Sequence, residues 1–292
     1  MKCETLSVAT ATLAVLTVVS CGKEVGPSPP PPSQPQILVG AGDIAVCGSA
    51  GTEATAALLD RIEGTVFTAG DNAYFQGSAE NFRQCYDPTW GRHKSRTRPA
   101  PGNHEYETPG ASAYFAYFGS NAGPPGRGYY SFNVGSWHIV SLNSNVPAAE
   151  GSAQMLWLRD DLAANPSPCL AAIWHHPVFS SGQNGPSPLM RDVWRALRQA
   201  NAEVILAGHD HMYERFGRMD EIGRAIPEGV RQFTVGTGGA PLTAATHVSP
   251  NSEVRASVHG VLKLTLSHDS FNWEFISVPP ASFSDSGSEA CR

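Results

Sequence analysis

The sequence predicts an α/β domain built on mixed sheets, and three observations carry that prediction. From Ile37 to about Ala207, short apolar runs alternate with segments whose apolar residues recur at helical spacing. Beyond that point strand patterns dominate, which adds antiparallel strands to the later part of the fold. The composition suits one large domain or two small ones: 292 residues, 41% hydrophobic and 16% charged.

Each element follows from its local pattern. "QILVGAGD" (36–43) reads as a strand, and "TEATAALLDRI" (52–62) as a helix with Thr52 as its cap. "TVFTAGD" (65–71) is the next strand, followed by a short helix over "SAENFRQCY" (78–86). "GYYSFNVGSWHIVSLNSN" (128–145), rich in aromatic and β-branched residues, reads as two strands joined at Val134-Gly135-Ser136. "AQMLWLRDDLAAN" (153–165) and "PLMRDVWRALRQ" (188–199) are helices, with Trp157 and Trp194 at apolar core positions. "CLAAIW" (169–174) and "AEVILAG" (202–208) are buried strands, and "RQFTVGTGG", "GVLKLTL" and "SFNWEFISV" complete the strand-rich end. "VGTGG" (235–239) is a tight turn, because no helical pattern follows it to make a phosphate loop. There is no internal repeat.

The N-terminus reads as a targeting segment. Lys2 precedes the apolar stretch "LSVATATLAVLTVV", which is short for a membrane span and ends in small residues, so residues 1–20 are a signal peptide. "VVSC" resembles the bacterial lipobox, which makes Cys21 a lipid anchor and the protein an extracytoplasmic lipoprotein; plain secretion is the alternative. Residues 21–36, with "GPSPPPPSQPQ", form a proline-rich tether, and the folded domain spans 37–292. The remaining cysteines, Cys47, Cys85, Cys169 and Cys291, are even in number, as disulfides in an oxidising compartment require. Four cysteines allow three pairings. Cys47 with Cys85 and Cys169 with Cys291 is preferred, the first bracing two loops near the site and the second fastening the C-terminus.

The net charge of −6 argues against general nucleic-acid binding, which needs a basic surface. One basic cluster, Arg92, His93, Lys94, Arg96 and Arg98, is a solvated loop or a steering patch for an anionic substrate. The chemistry sits at strand ends: Asp43 follows "ILVGAG", Asp71 "TVFTAG", His175 "LAAIW" and His209 "VILAG", with Asn103 in "PGNHE". Ligands of α/β sheets collect at the carboxyl ends of strands. A single such residue is usually structural; five at matching strand ends are not an accident.

The ordered segments "GDIA", "GDNAY", "GNHE", "WHHP" and "GHDH" resemble the metal motifs of calcineurin-like metallophosphoesterases, over essentially all of Ile37 to Val278. Tyr74 in "GDNAY" and "YER" after "GHDH" place the resemblance nearest the purple acid phosphatase branch. The resemblance implies two mixed β-sheets packed as a sandwich flanked by helices. It also implies a dinuclear centre: Asp43, Tyr74 and His211 on one ion, Asn103, His175 and His209 on the other, and Asp71 bridging both. In "WHHP", His175 is the ligand because it stands two before Pro177, leaving His176 facing the pocket. Tyrosinate, carboxylate and imidazole suit Fe³⁺; an amide and two imidazoles suit Zn²⁺, Fe²⁺ or Mn²⁺.

This sequence departs from the pattern in two places. Ala45 stands where most calcineurin-like enzymes have a histidine, and Tyr74 fills that vacancy. Asn184 and Gly185 occupy positions where plant enzymes carry histidines, so Asn184 becomes the substrate-contact candidate, with His176 and His104. His104, beside Asn103, is also the candidate to assist the leaving group. Without a G-x-S-x-G elbow, and with Ser180-Ser181 lacking a partner motif, the nucleophile implied is hydroxide on the metals. Glu214 and Arg215 are expected to brace the "GHDH" loop. The expected activity is hydrolysis of phosphate monoesters, with a small phosphate ester and, through the lipid anchor at Cys21, the membrane as partners, and no protein or nucleic acid implied. The rivals are a phosphodiesterase and a non-catalytic phosphate- or metal-binding surface protein.

Overall fold

The computed structural model describes residues 34–292. The expected signal peptide, the lipobox at Cys21 and the tether up to Ser33 lie outside the described residues. Two mixed sheets make the core. The first runs in the order β13-β12-β11-β1-β2-β3, with β1 (Gln36–Ala41), β2 (Thr65–Ala69), β3 (Thr97–Ala100), β11 (Gly260–Leu266), β12 (Ser270–Ser277) and β13 (Ser284–Ala290). The second runs β10-β8-β9-β7-β6-β5-β4, with β4 (Tyr130–Val134), β5 (Trp137–Ser141), β6 (Cys169–Ile173), β7 (Ala202–Ala207), β8 (Tyr213–Phe216), β9 (Arg231–Val235) and β10 (Ser252–Ala256). β1, β2 and β3 are mutually parallel, as are β5, β6, β7 and β9; the late strands join antiparallel, as the sequence predicts.

The period-2 alternation of β6 and β7 explains the layering. Ala171, Ile173, Val204 and Leu206 face the first sheet and share its core with Leu38, Val66, Leu262 and Leu264. Leu170, Ala172 and Ile205 point the other way. They pack under the helices Ala153–Ala164 and Arg191–Gln199, whose Met155, Leu158, Trp194 and Leu197 are all buried. Trp157 is half-buried against Tyr129. Both preferred disulfides are present, Cys47–Cys85 and Cys169–Cys291. Among the described residues no helix is long and apolar enough to cross a membrane.

Three local expectations are corrected. Helix α1 spans Ala50–Leu59 with Ser49 at the N-cap position; Thr52 lies inside it, and its hydroxyl donates to the Ile44 carbonyl at 2.8 Å. The helix therefore begins earlier than its apolar pattern suggests. The basic cluster is neither a solvated loop nor a free steering patch. Residues 90–96 form a 3-10 helix in which Arg92 pairs with Asp60 and Glu53, and Arg96 donates to the Gly64 and Leu59 carbonyls. Finally, β3, β8, β10 and β13 appear where no separate strand is expected. β13, "SDSGSEA", has almost no apolar residues and exists by pairing along β12.

Candidate metal centre

Every strand that reaches the site stops just short of its functional side chain. Asp43, Asp71, His175 and His209 each lie two residues beyond β1, β2, β6 and β7, and Asn103 lies three beyond β3. Three of them hold left-handed backbone, with φ of 59° at Asp43, 49° at Asp71 and 71° at His209. That conformation costs a non-glycine residue roughly 1–3 kcal/mol and persists only where the surroundings enforce it. The glycines before these residues have a steric cause. A Cβ on Gly102 would lie 2.1 Å from the Asp71 carboxylate, and one on Gly208 would lie 2.6 Å from an Asp43 oxygen.

The side chains converge from both sheets. The Tyr74 hydroxyl lies 2.9 Å from Asp43 Oδ1, 3.1 Å from Asp71 Oδ2 and 3.1 Å from His211 Nε2. On the other side of Asp71, His175 Nε2 is 3.3 Å from Oδ2, 3.0 Å from the Asn103 amide oxygen and 3.2 Å from His209 Nδ1. The structure therefore gathers the other six predicted ligand residues around Asp71. Single ligand atoms of Asp43, Asp71 and His175 lie within 4.8 Å of one another, as do those of His175, His176 and His209. Two adjacent groups of O and N donors of this kind fit a pair of cations.

Two imidazoles have their tautomers fixed. His175 Nδ1 meets the Ala69 carbonyl and His211 Nδ1 the Pro241 carbonyl, both at 2.8 Å. A carbonyl oxygen only accepts, so each Nδ1 carries the proton and each Nε2 is left facing the site.

The electrostatics describe a site short of positive charge. Burial works against a charged His175, but the Asp71 and Asp43 carboxylates outweigh it and raise it to about 9. His211 likewise overcomes burial through Asp43 and reaches about 9. His209 and His176, where burial combines with repulsion from His175, fall to about 4 and about 3. Asp71 is buried, yet His175 and His104 hold it well below the carboxylate range. Burial, then Asp43 and Asp71, push the Tyr74 phenol well above its usual value. A phenolate there requires a cation to offset its two carboxylate neighbours.

The other predicted residues fall differently. The His104 amide donates to Asp71 Oδ1 at 2.9 Å; its ring gives Nδ1 to the Phe75 carbonyl and sets Nε2 at 3.8 Å from Asp71 Oδ2. His176 Nδ1 meets the Ser144 hydroxyl at 2.7 Å, and its ring lies beside His175 and His209. Asn184 is directed elsewhere: its side-chain amide donates to the His209 carbonyl at 2.6 Å, so it braces the loop. Glu214 is also a brace, accepting from Ser181 and Ser252, while Arg215 pairs with Asp285.

Sequence reasoning missed Glu105 and Asp210. Buried Glu105 accepts from the amides of Asn72 at 2.8 Å, Ala73 at 3.2 Å and Gly102 at 2.7 Å, joining the loop of Asp71 to that of Asn103. Burial and the nearby Asp71 raise its carboxyl to about 7. Asp210 accepts from Ser180 and from the Asn184 amide. Glu105 stands in "GNHE" and Asp210 in "GHDH"; the signal was their place inside the motifs.

Residues 30–213 match the family model described as calcineurin-like phosphoesterase. The chain is 31% identical over 265 residues to purple acid phosphatase 21 of Arabidopsis thaliana, covering 80% of this chain and 59% of that one. It is 29% identical over 250 residues to the phosphoenolpyruvate phosphatase of Allium cepa, covering 72% and 51%. The chain thus spans between half and three-fifths of these relatives. Its fold superposes on a purple acid phosphatase from seeds of yellow lupin (Lupinus luteus) with a TM-score of 0.77 at 20% identity, covering 88% of this chain and 54% of that one. With five motifs gathered where strand ends of both sheets meet and a family match over most of its length, this chain belongs to the calcineurin-like phosphoesterase family.

Proposed function

We propose that this protein is an exported dimetal phosphatase that hydrolyses phosphate monoesters. The observation that carries the reading is the position of Asp71, whose Oδ2 lies 3.1 Å from the Tyr74 hydroxyl and 3.3 Å from His175 Nε2. In this reading Asp43, Tyr74 and His211 hold Fe³⁺, Asn103, His175 and His209 hold a divalent ion, and Asp71 is shared. Two ions held there supply an activated water and offset charge on the phosphoryl oxygens.

The chain's own residues do the rest. The carbonyls of Ala69 and Pro241 lock His175 and His211 with Nε2 facing inward. Glu105 holds the loops of Asp71 and Asn103 in register. His104, anchored through Nδ1 to Phe75, presents Nε2 to contact phosphate and to deliver a proton to the departing oxygen. The monoester reading draws support from the onion relative, which is named for phosphoenolpyruvate, itself a monoester. Export draws support from the two disulfides, which persist in oxidising compartments. The lipid anchor at Cys21 rests on the "VVSC" pattern.

The test is metal analysis with turnover of a monoester and a diester at equal concentration, for the wild type and Asp71→Asn. The substitution removes the negative charge both cations share, so the variant loses at least one metal equivalent and nearly all turnover. Two retained metals with a near-normal rate would remove Asp71 from the shared position. Faster diester hydrolysis would make the protein a phosphodiesterase.

A further inference from the structure

A cavity of about 580 Å³ opens beside the candidate site, bounded by Tyr106, Ser144, the 145–149 segment, His176 and Leu189. It touches the site from two directions. His176 neighbours His175 and His209, and Tyr106 belongs to the short 3-10 helix His104–Glu107 that starts at His104. A group departing from a phosphate bound at the candidate site would meet this space past His176 and Tyr106.

The wall chemistry is specific. Among the described residues, no lysine, arginine, aspartate or glutamate lines the cavity. Its polar atoms are largely engaged within the protein. The Tyr106 hydroxyl accepts from Asn143 at 2.7 Å, the Asn145 side chain donates to Asn143 at 3.2 Å and Pro101 at 3.3 Å, and the Ser144 hydroxyl meets His176. Val146, Pro147, Ala148, Ala149 and Leu189 present carbon. Leu189 is 60% exposed, an apolar residue left at the rim with nothing packed over it. A pocket of this size and lining desolvates an apolar group well and gives a second anionic group no partner.

We infer that this cavity is the leaving-group pocket and selects phosphate monoesters of uncharged aromatic or bulky apolar alcohols over polyanionic esters, with Leu189 and Tyr106 as specificity-determining residues. The inference rests on the phosphatase reading and adds the substrate class.

The experiment compares kcat/KM for 2-naphthyl phosphate, glycerol 2-phosphate and ATP in the metal-loaded wild type, Leu189→Asn and Leu189→Met. Naphthyl and glycerol phosphates carry the same phosphate, so effects on the metals or on charge cancel in their ratio. The expected result is a naphthyl-to-glycerol ratio of at least about tenfold, a lower rate still for ATP, and a ratio that falls about tenfold in Leu189→Asn but is kept in Leu189→Met. Equal rates for the three esters, or a ratio indifferent to both substitutions, would overturn the inference and leave the phosphatase reading standing. Equilibrium binding of 2-naphthylphosphonate against methylphosphonate covers an enzyme that turns over none of them. Turnover failure then counts against the phosphatase reading, while equal affinity of the two phosphonates would sink the pocket.

Discussion

The main-chain amide of His209 donates to Oδ2 of Asp43 at 2.7 Å. Asp43 lies just past a strand of the first sheet and His209 just past a strand of the second, so one carboxylate ties the two strand ends together. Its other oxygen lies 2.9 Å from the Tyr74 hydroxyl and 3.3 Å from His211. The same side chain therefore links the two sheets at the site and faces two of the proposed metal donors.

Tyr74→Phe removes the hydroxyl that lies among Asp43, Asp71 and His211. Iron-loaded wild type is expected to be purple to pink through a phenolate-to-iron transition, and the variant to be bleached, with the first ion weakened more than the second. Visible spectra and metal content of both proteins check this. Iron in the site with no tyrosine-dependent band would exclude Tyr74 as a ligand.

Asp285→Asn tests a tie between β13 and β8. Burial raises the Asp285 carboxyl, but hydrogen bonds from Arg215 and Tyr213 outweigh it and lower the pKa below its ordinary value. A depressed folded pKa contributes stability above the unfolded value of about 3.9, lost as pH falls through the folded value. The variant should melt roughly 2–4 °C below wild type at pH 7, and the gap should close below about pH 3.9. Melting curves across that range decide it; a gap independent of pH would assign the loss to packing.

The two disulfides should fail differently. Cys47 lies four residues past Asp43 and bonds Cys85, whereas Cys169 and Cys291 close a span of 122 residues away from the ligand loops. Cys169→Ser with Cys291→Ser should cost about 2–5 kcal/mol of stability with metal content kept. Cys47→Ser with Cys85→Ser should also lower metal retention. Equal metal loss in both variants would contradict this division.

Cys21→Ser should move the protein from a membrane fraction to a soluble exported one, with the catalytic rate unchanged. Detergent partitioning of both forms is the measurement. The same distribution for both would mean ordinary secretion.

The strands carrying Asp43, Asp71, His175 and His209 were legible because buried parallel strands read as continuous apolar runs, ending in glycine and a polar residue in three cases and in Trp174-His175 in the fourth. β13 was not: it alternates small and acidic residues and owes its conformation to its neighbour, a tertiary cause with no local signature. The positions of Asp43 and Asp71 at strand ends were equally legible, since motif order maps onto sheet edge. Glu105 and Asp210 were not, because their carboxylates accept from backbone amides 26 to 33 residues away in sequence, or three in the case of Gly102. A backbone amide looks the same in any sequence until folding chooses its acceptor.

Cys169 opens β6 and His175 lies just past its far end, roughly 20 Å apart at strand rise. The sandwich is thus clasped at both ends of one strand, by a covalent bond to the segment after β13 and by side chains from both sheets meeting around Asp71. Ions bound at that second clasp would act as a reversible cross-link. Chelation alone, and loss of the Cys169–Cys291 bond alone in the Cys169→Ser with Cys291→Ser variant, should each leave the other clasp shut. Applied together, they should open the sheets to protease by more than the sum of the separate effects.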